Sequence, residues 1–301
     1  MRVTIVTCYV RGTHEMMSAC LNSILRHTKI PVQVIVAAQE GNLDEGLFDA
    51  VECFRGKDMS VQVVEVPHKY IQEGREHGCI LDRVVPDDVS TEYVMTLDSD
   101  CFPIADGWLE SLVEMLDSDM VVSAGILHPW APPPKMRESR LEWRVRSQHC
   151  WETTHVACQL MRTKEAVCWI RAGIGYSKGD DTGLGMMKVM RASNRKCDGY
   201  KPTRCPNPAV AFDAEFNRYS CVVYGDAVIH VGGFTRVTVD GDDGVFRQAF
   251  QWAAEKVLEE GGAEFLLDDA NSYRYTLDRE EEVASEKMQR LFGLTSQRMT
   301  I

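Results

Sequence analysis

The sequence lacks any apolar run approaching the roughly 18 residues that a helix needs to cross a bilayer, so no segment is predicted to span a membrane. Its first residues, 1–6, have neither the apolar core nor the cleavage site of a secretory signal. We also find no low-complexity segment and no internal repeat. These absences favour a globular protein that works in the cytoplasm.

Paired cysteines and a basic surface are also missing. The eleven cysteines include no Cys-x-x-Cys pair, and their odd number does not suit a disulfide framework, so we expect reduced thiols. A zinc site on Cys197 and Cys205 is disfavoured because no second pair of ligands lies near them in the sequence. The net charge of −12 argues against a protein that coats nucleic acid.

Apolar strands alternate with amphipathic helices over the first part of the 301-residue chain. The predicted strands are 3–7, 32–37, 61–66, 93–97 and 120–126, and the predicted helices begin at Thr13 or cover 43–54, 75–85 and 108–116. This alternation predicts an α/β fold with a mostly parallel, Rossmann-like sheet flanked by helices. In such sheets, ligands bind beyond the carboxyl ends of the strands.

Two carboxylates follow the apolar run 93–97, in the tripeptide Asp98-Ser99-Asp100. In isolation, an Asp-x-Asp sequence is more often an acidic turn after a buried strand. Here it lies where a parallel sheet binds ligands, and carboxylates together with substrate phosphates are what Mg²⁺ or Mn²⁺ prefers. The pair therefore predicts a metal–diphosphate site.

Five stretches resemble, in the same order, motifs of nucleotide-sugar glycosyltransferases with the GT-A fold, above all the family 2 group. They are 3–11, Gly74–Gly78, Leu97–Asp100, Gly179–Gly185 and Ile229–Gly233. These stretches are similar, respectively, to the nucleoside-binding start, the Ala-Arg-Asn-x-Gly element, the metal motif, the acidic acceptor motif and the C-terminal histidine of that family. The chain departs from the family at Gln39-Glu40, where an acid often contacts the base, and at Glu76, where asparagine is usual.

The resemblance implies a role for each matched residue. Asp98, Asp100 and His230 would hold Mn²⁺ or Mg²⁺, and Asp181 would be the general base of an inverting transfer. The candidates for binding the nucleotide sugar are Thr7, Tyr9, Arg11, Glu40, Arg75 and Ser99, and those for binding the acceptor are Asp180 and Trp151. Alternatives remain open: a buried structural histidine at 230, a helix cap at Asp180, a core aromatic at Tyr9 and a solvated arginine at Arg11.

The predicted organisation is a catalytic domain over residues 1–235, with a nucleotide-sugar half at 1–127 and an acceptor half at 128–235. Residues 236–301 are predicted to be a helical extension packed on that domain, with helices at 245–258 and 279–291. Basic residues outnumber acidic ones in 135–146 and 188–204. Such clusters are usually solvated faces, but here they also suggest an anionic acceptor, including modified DNA.

The sequence thus predicts a metal-dependent glycosyltransferase that uses a nucleoside diphosphate sugar, specifically a UDP-linked one. One alternative is a nucleotidyltransferase acting on a sugar phosphate, although Tyr9-Val10-Arg11-Gly12-Thr13 is a poor version of the glycine-rich basic loop of that class. A second alternative is a non-catalytic nucleotide- or sugar-binding module. The acceptor and the oligomeric state are not specified by the sequence.

Overall fold

The computed structural model describes residues 2–54, 59–129, 151–179, 182–205, 221–231 and 273–274. Up to residue 116 its elements are β1 (Val3–Cys8), α1 (His14–His27), β2 (Val32–Gln39), α2 (Glu45–Glu52), β3 (Met59–Val66), a 3₁₀ turn (His68–Tyr70), α3 (Glu76–Asp88), β4 (Tyr93–Leu97), β5 (Cys101–Pro103) and α4 (Trp108–Leu116). The remaining elements are β6 (Val121–Pro129), β7 (Trp151–Arg162), α5 (Thr163–Arg171), α6 (Leu184–Ala192), β8 (Lys196–Tyr200), β9 (Pro202–Cys205), β10 (Cys221–Tyr224), β11 (Val228–Val231) and β12 (Tyr273–Arg274).

The main sheet has seven strands in the order β3-β2-β1-β4-β7-β6-β8. The first four run parallel, with Val3 opposite Val32 and Tyr93. β7 is antiparallel to both β4 and β6, and β8 returns parallel to β6. The predicted fold class, a mostly parallel sheet flanked by helices, is therefore confirmed. The predicted division at residue 127 falls inside β6, so both halves contribute to one sheet.

Helices cover both faces of this sheet, which explains why its central strands are apolar at nearly every position. Side chains on one face of β1, such as Val3 and Ile5, pack with α1 and α4. Val6 faces the other side, where it joins α3 and α6 in a second buried cluster. Because β1, β2, β3 and β4 are parallel, their carboxyl ends lie along one edge of the sheet.

A second, five-stranded sheet has the order β12-β9-β10-β11-β5, and its strand pairs are antiparallel. β5 follows Asp98-Ser99-Asp100 directly, and its pairing with β11 places His230 opposite Cys101. The helices predicted at 245–258 and 279–291 lie outside the described residues. Within the extension, Tyr273–Arg274 forms β12, a short strand paired with β9.

Across the part of the chain that the structure describes, no helix is long and apolar enough to cross a membrane. Eight of the cysteines in that part carry free thiols: Cys8, Cys20, Cys53, Cys79, Cys101, Cys158, Cys168 and Cys197.

Candidate metal centre

Three predicted metal ligands converge at the carboxyl end of β4. The N–H of Asp98 donates to the carbonyl of Ala157 on β7, and the carbonyl of Asp100 accepts the N–H of Val231 on β11. Backbone contacts to two different sheets therefore fix the turn that carries both carboxylates. One ligand atom from each of Asp98, Asp100 and His230 lies within 4.8 Å of the others.

The residues present suit a divalent cation. Oδ1 of Asp98 is buried and accepts no hydrogen bond within the described residues, which is costly for a carboxylate oxygen unless a cation compensates it. Oδ1 of Asp100 lies 3.7 Å from Nε2 of His230, and both side chains are almost fully buried. Two carboxylates and an imidazole form a donor set that accommodates Mn²⁺ readily and Mg²⁺ in part.

His230 is held in the neutral form that a metal ligand needs. Burial and, to a smaller extent, the nearby ring of His155 lower the pKa of its imidazole, Asp98 opposes them, and the net pKa is about 4. The ring centroids of His155 and His230 are 5.8 Å apart. Near neutral pH the His230 imidazole therefore carries a free lone pair and has no proton to lose before it binds a cation.

A fourth polar residue, His77, lies at the centre although the sequence did not single it out. It sits in the first turn of α3, with Nε2 3.4 Å from Oδ1 of Asp98 but without hydrogen-bond geometry. Burial lowers the pKa of His77, but its interactions with Cys8 and Asp98 outweigh this and raise the pKa to about 10. Its only sequence signal was its place inside the Gly74–Gly78 motif.

Three buried thiols form the floor beneath the carboxylates. Cys20, Cys101 and Cys158 are all fully buried, and Sγ of Cys20 donates to the carbonyl of Cys101 at 3.6 Å. Burial raises the pKa of the Cys20 thiol above its ordinary value, and that of Cys101 likewise. Cys20 and Cys101 therefore stay uncharged, and the three buried side chains exclude water, which strengthens electrostatic interactions at the carboxylates.

Tyr9 and Thr7, predicted to bind the nucleotide sugar, are buried. Tyr9 is only 2% exposed, and its hydroxyl donates to Oδ2 of Asp44 at 2.7 Å. Its ring is packed in the core, so the stacking predicted for it has no open face. Thr7 is also fully buried, and its hydroxyl has no hydrogen-bond partner within the described residues.

The other predicted donor-binding residues lie along the same edge of the sheet. Arg11 is exposed and lines a cavity of about 590 Å³ together with His14, Leu43, Asp44 and Phe48, among others. Ser99 is half-buried between the two carboxylates. Oε2 of Glu40 accepts the N–H of His68, and Nη1 of Arg75 donates to the carbonyl of Ser177 at 3.4 Å.

The acceptor-side predictions fall mostly outside the described residues. Asp180, Asp181 and the stretch 135–146 are not described, nor is the side chain of Trp151, which begins β7. Helix α6 begins at Leu184 with Gly183 at its N-cap position. Both roles predicted for Asp180, helix cap and acceptor binding, lie outside the described residues.

Two residues of the second basic cluster are engaged in structural contacts. Nη1 of Arg195 lies 2.9 Å from Oε1 of Glu165, and its Nη2 donates to the carbonyl of Val121. Nζ of Lys196 lies 2.6 Å from Oδ2 of Asp198. Arg195 therefore links α5 to β6, and both basic side chains already have an acidic partner.

No protein-family model and no curated protein sequence matches the chain. The fold resembles glycosyltransferase GlyE of Streptococcus pneumoniae TIGR4, with a TM-score of 0.47 and 9% identity over 92% of this chain and 65% of that one. It also resembles residues 1–349 of S. aureus TarS in complex with UDP-GlcNAc, with a TM-score of 0.43 and 15% identity over 65% of this chain and 56% of that one. A 4-diphosphocytidyl-2C-methyl-D-erythritol synthase from Anaerococcus prevotii matches with a TM-score of 0.47 and 10% identity over 66% of this chain and 86% of that one.

The chain thus spans less than two thirds of the length of both glycosyltransferases. At these identities and TM-scores, the similarity to known structures establishes no activity for this chain. At the level of the fold, glycosyltransferases are among the structures that the chain resembles, as its GT-A-type motifs predicted.

Proposed function

We propose that this protein is a metal-dependent glycosyltransferase that takes its sugar from a nucleoside diphosphate donor, specifically a UDP-linked sugar. The observation that carries the proposal is the convergence of Asp98, Asp100 and His230 at the end of β4, where Oδ1 of Asp98 accepts no hydrogen bond within the described residues. A bound Mn²⁺ or Mg²⁺ would act as a Lewis acid for the diphosphate leaving group.

The residues of the centre prepare the site for a diphosphate. Asp98 and Asp100 would hold the cation from one side and the neutral imidazole of His230 from the other. His77 lies beside Asp98, where its imidazole is our candidate to donate a hydrogen bond to the diphosphate oxygens. Ser99, between the carboxylates, is positioned for a sugar or ribose hydroxyl.

The cavity beside Arg11 is our candidate for the nucleoside. It lies after β1 and β2, whereas the carboxylates follow β4, and β2 is two strand spacings from β4, about 10 Å. Phe48 lines the cavity and is 50% exposed, so it offers the open aromatic face that Tyr9 does not. Arg11 would pair with a phosphate or with the base.

For the acceptor, we keep Asp181 as the general base, with Asp180 and Trp151 as acceptor-binding residues. The support is the motif and its place in the chain, immediately before α6. An inverting transfer needs a carboxylate to take the proton of the attacking hydroxyl. An anionic acceptor, including modified DNA, would have to be bound by basic residues other than Arg195 and Lys196, for example by exposed Lys188 and Lys201.

The loop after β1 gives little support to the nucleotidyltransferase alternative. Such an enzyme would use backbone N–H groups of this loop to cradle phosphates. Here the N–H of Gly12 already donates to Asp44, and that of Thr13 donates to the carbonyl of Val10.

The metal assignment can be tested by thermal unfolding with UDP. We expect UDP to raise the melting temperature in Mn²⁺ but not in EDTA, since the ligand should stabilise the native state by about 2.7 kcal/mol at a hundredfold excess over Kd. Asp100→Asn should abolish the shift, whereas the control Asp119→Asn, at an exposed position, should retain it. Equal shifts in Mn²⁺ and in EDTA would contradict the metal assignment.

A further inference from the structure

Asp82, in the middle of α3, binds a segment that lies far away in the sequence. Its carboxylate accepts the N–H of Tyr176 at 2.6 Å, the N–H of Ser177 at 3.0 Å and the hydroxyl of Ser177 at 2.5 Å. These donors belong to residues 175–179, between α5 and α6, which we call the 175–179 turn. One carboxylate thus satisfies three donors of a single turn.

The turn lies directly on α3 because each side of the contact has a glycine, Gly78 on the helix and Gly175 on the turn. A Cβ on Gly78 of α3 would come within 2.7 Å of the Cα of Ser177, and one on Gly175 would come within 2.1 Å of the Asp82 carboxylate. Either position would have to open to accept a side chain. The close approach is therefore specific to this pair of backbones.

The turn is also closed by its own hydrogen bonds. The N–H of Gly183 donates to the carbonyl of Tyr176, and that of Gly185 donates to the carbonyl of Lys178. The Tyr176 side chain is fully buried in the cluster between α3 and α6. Asp82 is therefore the polar attachment of a compact unit that continues into α6.

The same helix also reaches the metal centre. His77, in its first turn, lies 3.4 Å from Asp98, and Arg75, at its N-cap position, donates to the carbonyl of Ser177. α3 thus contacts the metal ligands at its N-terminus and holds the 175–179 turn slightly more than one turn later. Asp180 and Asp181 directly follow this turn in the sequence.

We propose that Asp82 is a positioning residue, which fixes the 175–179 turn on α3 and so sets the rate of sugar transfer without setting donor affinity. This inference rests on the proposed function, since it assigns the segment after the turn to the acceptor side. A displacement of about 1 Å away from the reacting atoms can cost about 10²-fold in rate, which is the loss expected when the attachment is broken.

Two substitutions break the attachment by different means. Asp82→Asn replaces a carboxylate oxygen with an NH₂ group, which cannot accept hydrogen bonds from the N–H and hydroxyl of Ser177. Gly78→Ala leaves Asp82 intact but inserts a methyl group against the backbone of Ser177. Ser177→Ala removes only the hydroxyl contact. The matched control is Asp87→Asn, an exposed aspartate of the same helix that pairs with Arg83.

The experiment measures three quantities on the full chain. The first is hydrogen exchange at the amides of Tyr176 and Ser177, and the second is the affinity for UDP with Mn²⁺ by calorimetry. The third is the kcat and KM for hydrolysis of UDP-GlcNAc, UDP-glucose and UDP-galactose, in which water takes the sugar and UDP is released. For Asp82→Asn and Gly78→Ala we expect loss of amide protection, a fall in kcat of about 10²-fold and unchanged donor KM and Kd. Ser177→Ala should have amide protection and a kcat between those of these variants and the wild type. Asp87→Asn should match the wild type in both quantities.

The outcomes separate this inference from the proposed function. If the wild-type chain releases UDP from none of the three sugars, the proposed function fails, and hydrogen exchange alone decides whether Asp82 holds the turn. If Asp82→Asn keeps the amide protection or the wild-type kcat, the inference is overturned while the function stands. If donor affinity and kcat fall together, Asp82 is only structural and the positioning role is wrong.

Discussion

At the scale of single residues, Asp44 joins three parts of the donor edge. Its carboxylate caps α2 by accepting the N–H of Leu47, and it also accepts the Tyr9 hydroxyl and the N–H of Gly12. Burial raises the pKa of Asp44, but the bonds from Tyr9, Leu47 and Gly12 outweigh it, and the net pKa lies below its ordinary value. Because the folded-state pKa is lowered, this contribution to stability is present above the unfolded pKa and is lost as pH falls through the folded one.

We therefore expect Asp44→Ala to lower the free energy of unfolding at pH 7 by about 1 kcal/mol or more, the usual loss for a helix cap. The difference from the wild type should shrink as the pH is lowered through the acid range. Urea unfolding at several pH values checks both statements, with Asp49→Ala on the exposed side of α2 as the control. A difference that grows toward acid pH would contradict the assigned sign.

At the scale of elements, the narrowest contact in the main sheet involves Gly125 of β6. Gly125 pairs with Gly199 of β8, and a Cβ on Gly125 would meet the carbonyl oxygen of Cys158 on β7 at 2.0 Å. The neighbouring atoms are backbone on both sides, so they cannot move aside as a flexible side chain would. The three strands approach one another here only because both positions are glycine.

Gly125→Ala should therefore lower the free energy of unfolding by about 3 kcal/mol, the upper end of the usual cost of overpacking. The control is Gly41→Ala. A Cβ at this position would contact no other atom, but φ is +81°, so the only cost is that of the left-handed backbone conformation, about 1 kcal/mol. Denaturant unfolding of both variants measures the two costs. Equal costs would mean that β6 shifts readily to accommodate the methyl group.

At the scale of the whole molecule, the net charge of −12 disfavours binding of an anionic acceptor, and Arg195 and Lys196 are already paired with acidic residues. If the acceptor is DNA, its binding has to come from the remaining basic residues. Affinity should then fall by about 0.9 log unit per log unit of salt for each phosphate contacted.

This prediction is checked by titrating duplex and single-stranded DNA at several salt concentrations. The double variant Lys188→Glu with Lys201→Glu should reduce the salt dependence and leave the Mn²⁺-dependent UDP shift unchanged. Arg195→Glu should chiefly destabilise the fold, because it would set two acidic side chains together at Glu165. If no DNA binds at low salt, a neutral carbohydrate or a protein hydroxyl becomes the better candidate acceptor.

The sequence by itself determined the fold class and the position of the carboxylate pair. Strand and helix patterns are local, because a side chain's burial follows from its place in a period of 2 or 3.6 residues. The predicted bounds of β1, β4 and α4 agree with the structure to within a residue, whereas α3 runs three residues further, to Asp88. Asp98 and Asp100 were found because a strand end in a parallel sheet is a ligand-binding position.

The family resemblance named His230, but only the tertiary structure decided how distant residues reach that pair and added His77. His230 reaches Asp100 because β11 pairs with β5, and His77 reaches Asp98 because α3 packs beside β1. Tyr9 is buried with its hydroxyl on Asp44 because the pairing of β1 with β2 brings the segments that follow these strands together. The contact of Asp82 with the 175–179 turn depends on Gly78 and Gly175. Such contacts arise from packing between segments far apart in the chain, so no local pattern encodes them.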